Sequence, residues 1–466
     1  MKCRIEAMAE FDPETLARWS GGKWTPAPPG PVRGFATDSR LLRPGQMFVA
    51  LKTGKRDGHA FIEAARSAGA CAALVEAPVT GIPLPQLVVG SPLAALQAIA
   101  RRHRRSFRGP VVGISGSAGK TSTKDLLAIL LGGPDEGDGG PVLATQGNLN
   151  NHIGVPLTLT RLDPAVHSFA VIEAGISAPG EMAPLAAAIE PDIAIITLVG
   201  PAHLLDLGTL EAVAREKAAL AGHLRRGGVA LFPASCAQYA AFRELRVPKI
   251  IIGGDGDGLG AQSVLFSVRE GEESTELTLR GDGMEGGVFA LPRVSRGMAQ
   301  NAALALCAAL RLGIGSAALN ERVGQWRPAP LRGEVRRGHG RLLYLDCYNA
   351  NPASMSDALD AFVRIAPAGL PRLYLIGCME ELGADAARYH RELGAGIQLR
   401  PNDLLVVLGD HADEVGAGAA AAGAGPAQVL AAISRAEVSA RLAAFRGAVF
   451  AKGSRKHELE EFFAPC

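Results

Sequence analysis

The stretch PVVGISGSAGKTSTKDLLAILLG, residues 110–132, constrains this chain most. It is an apolar run, a turn holding Gly116 and Gly119, then apolar residues at helical spacing. The spacing predicts a strand over residues 110–114 running into a helix. A glycine-rich turn in that position lets backbone N–H groups converge on phosphate oxygens, and the helix adds its positive end. Gly116, Ser117, Ala118, Gly119, Lys120, Thr121 and Ser122 are therefore candidate nucleoside-triphosphate contacts. Lys120 can meet the β- and γ-phosphates as a point charge, and Thr121 offers a hydroxyl to Mg²⁺. The strict GxxxxGK[ST] spacing wants glycine where this chain has Ile114. Such a loop implies a nucleoside triphosphate but leaves the reaction open.

Around the loop, apolar segments such as SFAVIEAG and DIAIITLVG alternate with helical ones such as TLEAVAREKAALAGHL. Alternation of this kind implies a mostly parallel, doubly wound sheet. The first hundred residues read as a smaller α/β unit, with a strand over 47–51 after a Pro-Gly turn and a helix then a strand in AFIEAARSAGACAALVEA. Composition shifts at residues 326–340, a linker or a strand pair, after which alternation resumes to the end. At about 150 residues per domain, 466 residues make three. The expected division is 1–108, 109–326 and 327–466. The Ala/Gly tract 416–428 reads as a loop or an Ala-rich helical turn, and no internal repeat is visible.

Charge and cysteine usage exclude several classes. Lys+Arg 48 against Asp+Glu 46 leaves a net charge of +2, so no global field advertises nucleic acid or membrane. The basic cluster RRHRR (101–105) has no flanking aromatics for base stacking and reads as a solvated helix end. The apolar run near 193–202 has about half the length a spanning helix needs, and no apolar run follows the first basic residues as a secretory signal would require. Seven scattered cysteines without a CxxC pair argue against a disulfide framework and a structural zinc site. The expectation is a soluble, cytoplasmic, monomeric protein acting on small molecules, with no nucleic-acid partner and no stable membrane insertion.

TQGNLNNHIGVPLTL (145–159) resembles the TxGNxNNxxGxPLTL segment of the Mur ligases. DCYNANPASM (346–355) is similar to the YNANPxSM signature of the member that adds D-alanyl-D-alanine to UDP-N-acetylmuramoyl-tripeptide, while the DNPR motif of a sister ligase is absent. TDSRLLRPGQMFVAL and KRDGHAFI (37–62) match the UDP-holding pattern of the group, and KGSR (452–455) falls where the family has it. The resemblance implies a three-domain α/β architecture. A small N-terminal domain would hold the UDP-sugar, a central P-loop domain with a mostly parallel doubly wound sheet would hold ATP at residues 116–122, and a Rossmann-like C-terminal domain would close on ATP and bind the dipeptide. It further implies an ATP-dependent amide ligase working through an acyl phosphate, in the last cytoplasmic step of peptidoglycan precursor assembly. A sister Mur ligase, a folylpolyglutamate-type ligase and a non-catalytic nucleotide-binding paralogue are the alternatives.

The same resemblance assigns residues. Glu173 and His203, taken as the ends of successive strands, are expected to hold Mg²⁺ or Mn²⁺ together with Thr121. Singly, each reads as a satisfied polar group or a surface charge; beside a phosphate loop the pair reads as a metal site. Lys217 reads from its neighbours Glu211, Arg215 and Glu216 as a lysine on a solvated helix face. The resemblance makes it a lysine that takes up CO₂ as a carbamate and becomes an anionic metal ligand. Lys120, Glu173, His203 and Lys217 are the catalytic candidates. Asn301, otherwise a helix N-cap, is the expected adenine contact, and Arg332 and Asp346 are expected to reach the nucleotide. Ser39 and Arg40 suit a diphosphate. Asn148, Asn150 and Asn151, with Gly147, are expected along the muramoyl peptide, and Tyr348, Asn349 and Asn351 on the acceptor side. Leu198, Pro233, Gln300 and Leu345 stand where the family usually has Asn, Asn, His and Asp.

Overall fold

The computed structural model describes residues 9–463, apart from residues 55, 134–139, 255, 256, 258, 259, 261, 262, 282–286, 339, 432 and 433. Among the described residues the strands gather into three sheets of five, nine and six strands.

The large sheet carries the phosphate loop. Edge to edge its strands are Val288–Pro292, Ser274–Gly281, Ser263–Glu270, Lys249–Gly254, Val229–Pro233, Ile193–Ile196, Val111–Ser115, Phe169–Glu173 and Val142–Ala144. Pairing is parallel from Val142–Ala144 across to Ser263–Glu270. The last two strands add on antiparallel, an extension that the βα alternation did not predict. Val111–Ser115 and Ile193–Ile196 are buried along their whole length, as strands covered on both faces must be. One apolar cluster joins the sheet to helices Lys120–Leu130 and Arg296–Arg311 and to Trp326. A second, on the other face, joins it to helices Met182–Ile189 and Leu210–Ala218.

Val111–Ser115 lies between Phe169–Glu173 and Ile193–Ile196, all running the same way. After this strand the chain lays Val142–Ala144 and Phe169–Glu173 on one side of it and then crosses to Ile193–Ile196 on the other, so the crevice outside its C-terminal end is where an open α/β sheet receives a ligand. Three loops meet there: residues 116–119, the segment after Glu173, and the segment after Ile196.

The smaller N-terminal sheet orders Lys23–Trp24, Gln86–Val88, Ala72–Val75, Met47–Val49 and Phe35–Ala36. The C-terminal sheet orders Glu334–Gly338, Arg341–Leu345, Ala448–Lys452, Arg372–Gly377, Leu404–Leu408 and Val429–Ala431, parallel except for its first pair. Residues 334–338 and 341–345 thus form the strand pair rather than a plain linker. The Ala/Gly tract begins as helix Ala412–Ala421.

The RRHRR cluster is not simply a solvated helix end. Arg104 is fully buried and donates to the carbonyls of Ile189, Glu190 and Phe107. That cation at the C-terminal end of helix Met182–Ile189 satisfies carbonyls the helix leaves open. His103 is also buried, 2.6 Å from the Leu162 carbonyl, and Arg101 and Arg105 pair with Glu190. Cys71, Cys236, Cys307, Cys347 and Cys378 are free thiols, while Cys3 and Cys466 lie outside the described residues. Among the described residues no helix is long and apolar enough to cross a membrane.

Candidate nucleotide-binding site

Helix Lys120–Leu130 begins directly at the lysine, with Gly119 as its N-cap at φ 78°. A Cβ on Gly119 would fall 2.2 Å from Asn301 Nδ2, and one on Gly116 would fall 1.9 Å from Thr197 Oγ1. Only glycine fits these two positions, which explains why the loop folds with Ile114 in place of the pattern's first glycine: Ile114 is a buried strand residue in the core. Ser117 is tied down on three sides. Its N–H donates to the Leu198 carbonyl at 2.8 Å, its hydroxyl to the Gly200 carbonyl at 2.9 Å, and its own carbonyl accepts from Asn351 Nδ2 at 3.0 Å. Thr197 Oγ1 donates to the Ala118 carbonyl at 2.5 Å. Lys120 Nζ reaches back to the Gly116 carbonyl at 2.8 Å. Burial lowers its pKa, opposed by the nearby Glu173.

The loop floors a cleft of about 800 Å³, whose walls include Glu173, His203, Asn301, Arg332 and Asp346. Glu173, 2% exposed, ends its strand as the sequence predicted. Its Oε1 accepts from Asn150 Nδ2 at 2.8 Å, while Oε2 is buried without a hydrogen-bond partner. A buried carboxylate oxygen left unsatisfied is costly in a closed protein and natural beside a cation. His203 does not end a strand: Ile193–Ile196 stops seven residues earlier, and His203 precedes helix Leu204–Leu207 with φ 55°. Its Nδ1 lies 2.5 Å from Glu381 Oε2.

Lys217 departs furthest from its sequence reading. It is 2% exposed rather than solvated, and it is not among the residues lining the cleft. Burial first, and the Lys120 charge second, push its pKa well below the usual lysine range. Among the described residues, no three His, Cys, Asp or Glu side chains form a metal-binding group. The Glu173 carboxylate, His203 and the Thr121 hydroxyl line the same cleft and carry donor atoms that could hold a divalent metal.

The far wall comes from the C-terminal unit. Asp346 follows strand Arg341–Leu345 and accepts from Lys452 Nζ at 2.6 Å; the same ammonium holds the Asn349 carbonyl at 3.0 Å. Burial raises the Asp346 pKa and Lys452 opposes the rise. Arg332 lies over the Tyr348 ring, 3.9 Å from its centroid. Asn351 caps helix Pro352–Ile365 through Oδ1 while its Nδ2 holds Ser117. Asn301 is no N-cap: Ser295 fills that role, and Asn301 sits in the second turn of helix Arg296–Arg311, 8% exposed.

Several residues are placed otherwise than their expected roles suggest. Asn151 lines the cleft, but its Oδ1 accepts from Ile153 N and Gly154 N at the start of helix Gly154–Leu159. Asn148 lines the cleft as well. Ser39 and Arg40 lie in the N-terminal unit, outside this cleft, and Arg40 is paired with Asp38 at 2.6 Å. The sequence reading missed Lys124, Thr145 and Lys452. Lys124 is buried and donates to the Thr145 carbonyl at 2.8 Å; Thr145 Oγ1 in turn accepts from Glu173 N at 2.9 Å. Lys124 ends GSAGKTSTK, Thr145 opens TQGNLNN and Lys452 opens KGSR, so motif membership marked each residue without showing what it touches. Of the departures, Leu198 serves the loop by its backbone carbonyl, and Gln300 Nε2 donates to the Thr197 carbonyl at 3.3 Å. Leu345 is core, and Pro233 ends a buried strand.

Comparison with known proteins accounts for this arrangement. A family model described as "Mur ligase middle domain" matches residues 114–309, one described as "Mur ligase, glutamate ligase domain" matches 331–455, and one described as "Mur ligase family, catalytic domain" matches 31–104. The chain is 32% identical over 385 residues to the UDP-N-acetylmuramoyl-tripeptide–D-alanyl-D-alanine ligase of Bacillus subtilis, covering 81% of this chain and 80% of that protein. It is similar to the crystal structure of MurF from Acinetobacter baumannii, with TM-score 0.84, 27% identity and 98% of each chain covered. It is also similar to MurF ligase from Thermotoga maritima in complex with ADP, with TM-score 0.77, 27% identity, and 92% and 96% of the two chains covered. With the central and C-terminal sheets meeting over one phosphate-loop cleft and relatives matched along most of its length, the chain belongs to the Mur ligase family.

Proposed function

We propose that this chain is an ATP-dependent ligase that joins D-alanyl-D-alanine to the terminal carboxylate of UDP-N-acetylmuramoyl-tripeptide. The observation that carries the reading is the bond from Asn351, in the YNANP segment, to the carbonyl of Ser117 in the phosphate loop. It brings the motif associated with the acceptor dipeptide to the place where ATP's phosphates would lie. The names of the curated relatives agree.

A carboxylate is a poor electrophile, so amide formation needs it activated. Its oxygen attacks the γ-phosphorus, the β–γ bridging bond breaks, and ADP leaves an acyl phosphate. The dipeptide amine then attacks the acyl carbon, loses a proton, and expels phosphate. Two anions must first approach one another. The loop N–H groups and Lys120 offset that repulsion where charge builds up on the transferring phosphoryl group. Asn301 stands beside Gly119, suited to the nucleoside, and Arg332 and Asp346 face the same space from the C-terminal unit. Asn150 orients Glu173, and the buried Oε2 of Glu173 suits a cation. Mg²⁺ or Mn²⁺ held by Thr121, Glu173, His203 and a carbamate on Lys217 would supply further charge neutralisation. Lys217 suits CO₂ uptake because burial favours its neutral, nucleophilic amine. Ser39 and Arg40 are proposed for the uridine diphosphate, Asn148 and Asn150 for the muramoyl peptide, and Tyr348 and Asn349 for the dipeptide. The polar contacts between the central and C-terminal units suit closure on ATP, which keeps water from the acyl phosphate.

The test is product identification with each UDP-muramoyl peptide and each candidate amine omitted or exchanged in turn. The tripeptide with D-alanyl-D-alanine should give the pentapeptide product. Turnover with a single amino acid and not the dipeptide would assign the chain to a sister activity.

A further inference from the structure

His203 and Glu381 form a polar contact between the central and C-terminal units. The imidazole Nδ1 meets Glu381 Oε2 at 2.5 Å, and Leu205 N donates to the Glu381 carbonyl at 3.1 Å. Both residues hold left-handed backbone, φ 55° and 61°, which is unfavourable for a side chain with a Cβ. Strain on both sides of one contact points to a constraint other than stability.

The segment presenting Glu381 is rigidly built. It follows strand Arg372–Gly377, and Met379 N donates to Nε2 of the fully buried His390 at 2.9 Å. His390 Nδ1 lies 2.7 Å from the Ala386 carbonyl, so one ring nitrogen accepts and the other donates, a single neutral tautomer. Leu382 is buried beside it.

His203 lines the phosphate-loop cleft, whereas Glu381 is exposed and outside the lining. A carboxylate on Nδ1 holds the proton there and leaves the Nε2 lone pair for a ligand. Among the described residues no hydrogen bond is made to His203 Nε2. A histidine whose far nitrogen is held by a carboxylate is the usual arrangement of an imidazole metal ligand. Here the carboxylate comes from a different unit of the chain than the imidazole.

We propose that Glu381 is a positioning residue that orients His203 as a divalent-metal ligand, so that the metal site is complete only when the C-terminal unit is docked. The proposal rests on the reading of His203 as a ligand. It makes metal affinity and domain docking one coupled equilibrium, in which each favours the other.

The experiment titrates Mn²⁺ alone into the full-length chain, with free Mn²⁺ read from its electron paramagnetic resonance lines, alongside melting temperatures. The variants are His203→Ala, Glu381→Ala and Glu381→Gly. The binding component that His203→Ala removes should weaken about 10- to 100-fold in both Glu381 variants. Glu381→Gly relieves the left-handed strain, so its melting temperature should stay at or above the parent's. If Mn²⁺ affinity is unchanged in Glu381→Gly but lost in His203→Ala, the positioning role is overturned and His203 remains a ligand. If His203→Ala also binds as the parent does, the metal reading of His203 fails and the proposal with it. A melting temperature for Glu381→Gly that falls together with its affinity would make the contact structural, and would equally overturn the proposal.

Discussion

Lys217 shows how far a residue's surroundings can reverse its sequence reading. Its helix neighbours suggest solvent, yet it is buried with a second ammonium, Lys120, nearby. In the unfolded chain the amine binds a proton up to about pH 10.4; in the fold it gives the proton up far earlier. Between those two values the unfolded state holds more protons, so this group makes stability rise with pH. Replacing it by Met should therefore raise the melting temperature at pH 7.5 in CO₂-free buffer, with the gain shrinking toward pH 10. Lys217→Ala should reduce phosphate release by about 10²–10³, the scale of losing one electrostatic contact in an active site, and short carboxylic acids should restore part of it. Full activity in the plain variant would remove the carbamate from the mechanism. Lys120 and Glu173 were legible because motif and position coincide. Lys452 and Lys124 were not, because their roles are contacts made 106 and 21 residues away.

At the scale of elements, alternating apolar and helical segments located the three α/β units and the strand ahead of the phosphate loop. Two things escaped. The antiparallel strands Ser274–Gly281 and Val288–Pro292 continue a parallel sheet through local hairpin pairing, which the βα rhythm cannot announce. The burial of Arg104 depends on carbonyls 85 and 86 residues away, at the end of another helix. Arg104→Ala leaves those carbonyls unpaired in the interior. It should cost about 3 kcal/mol, roughly 6–12 °C in melting temperature for a domain of 150–250 residues, by calorimetry. A loss under about 1 kcal/mol would mean that water replaces the guanidinium.

In the whole molecule, two units of the chain meet over one cleft through polar contacts: Asn351 with Ser117, Asp357 with Gly297 N at 2.8 Å, and Glu381 with His203. The order of the motifs along the sequence foretold which units take part, but not which atoms touch. Buried histidines add a global pH dependence. His103, His167 and His390 are all pushed below the ordinary histidine value by burial. Their contribution is present above about pH 6.5 and is lost as pH falls, because the unfolded chain then takes up protons the fold refuses. The melting temperature should drop between pH 7 and pH 5; a flat profile would show these rings to be protonated without cost.

In the proposed reaction ATP makes the tripeptide carboxylate reactive by joining a phosphoryl group to it. Tripeptide substrate carrying ¹⁸O in its terminal carboxylate tests this directly, with the released phosphate analysed by mass spectrometry. One carboxylate ¹⁸O should appear in the phosphate for each pentapeptide formed. Pentapeptide accompanied by phosphate free of that label would contradict the acyl phosphate.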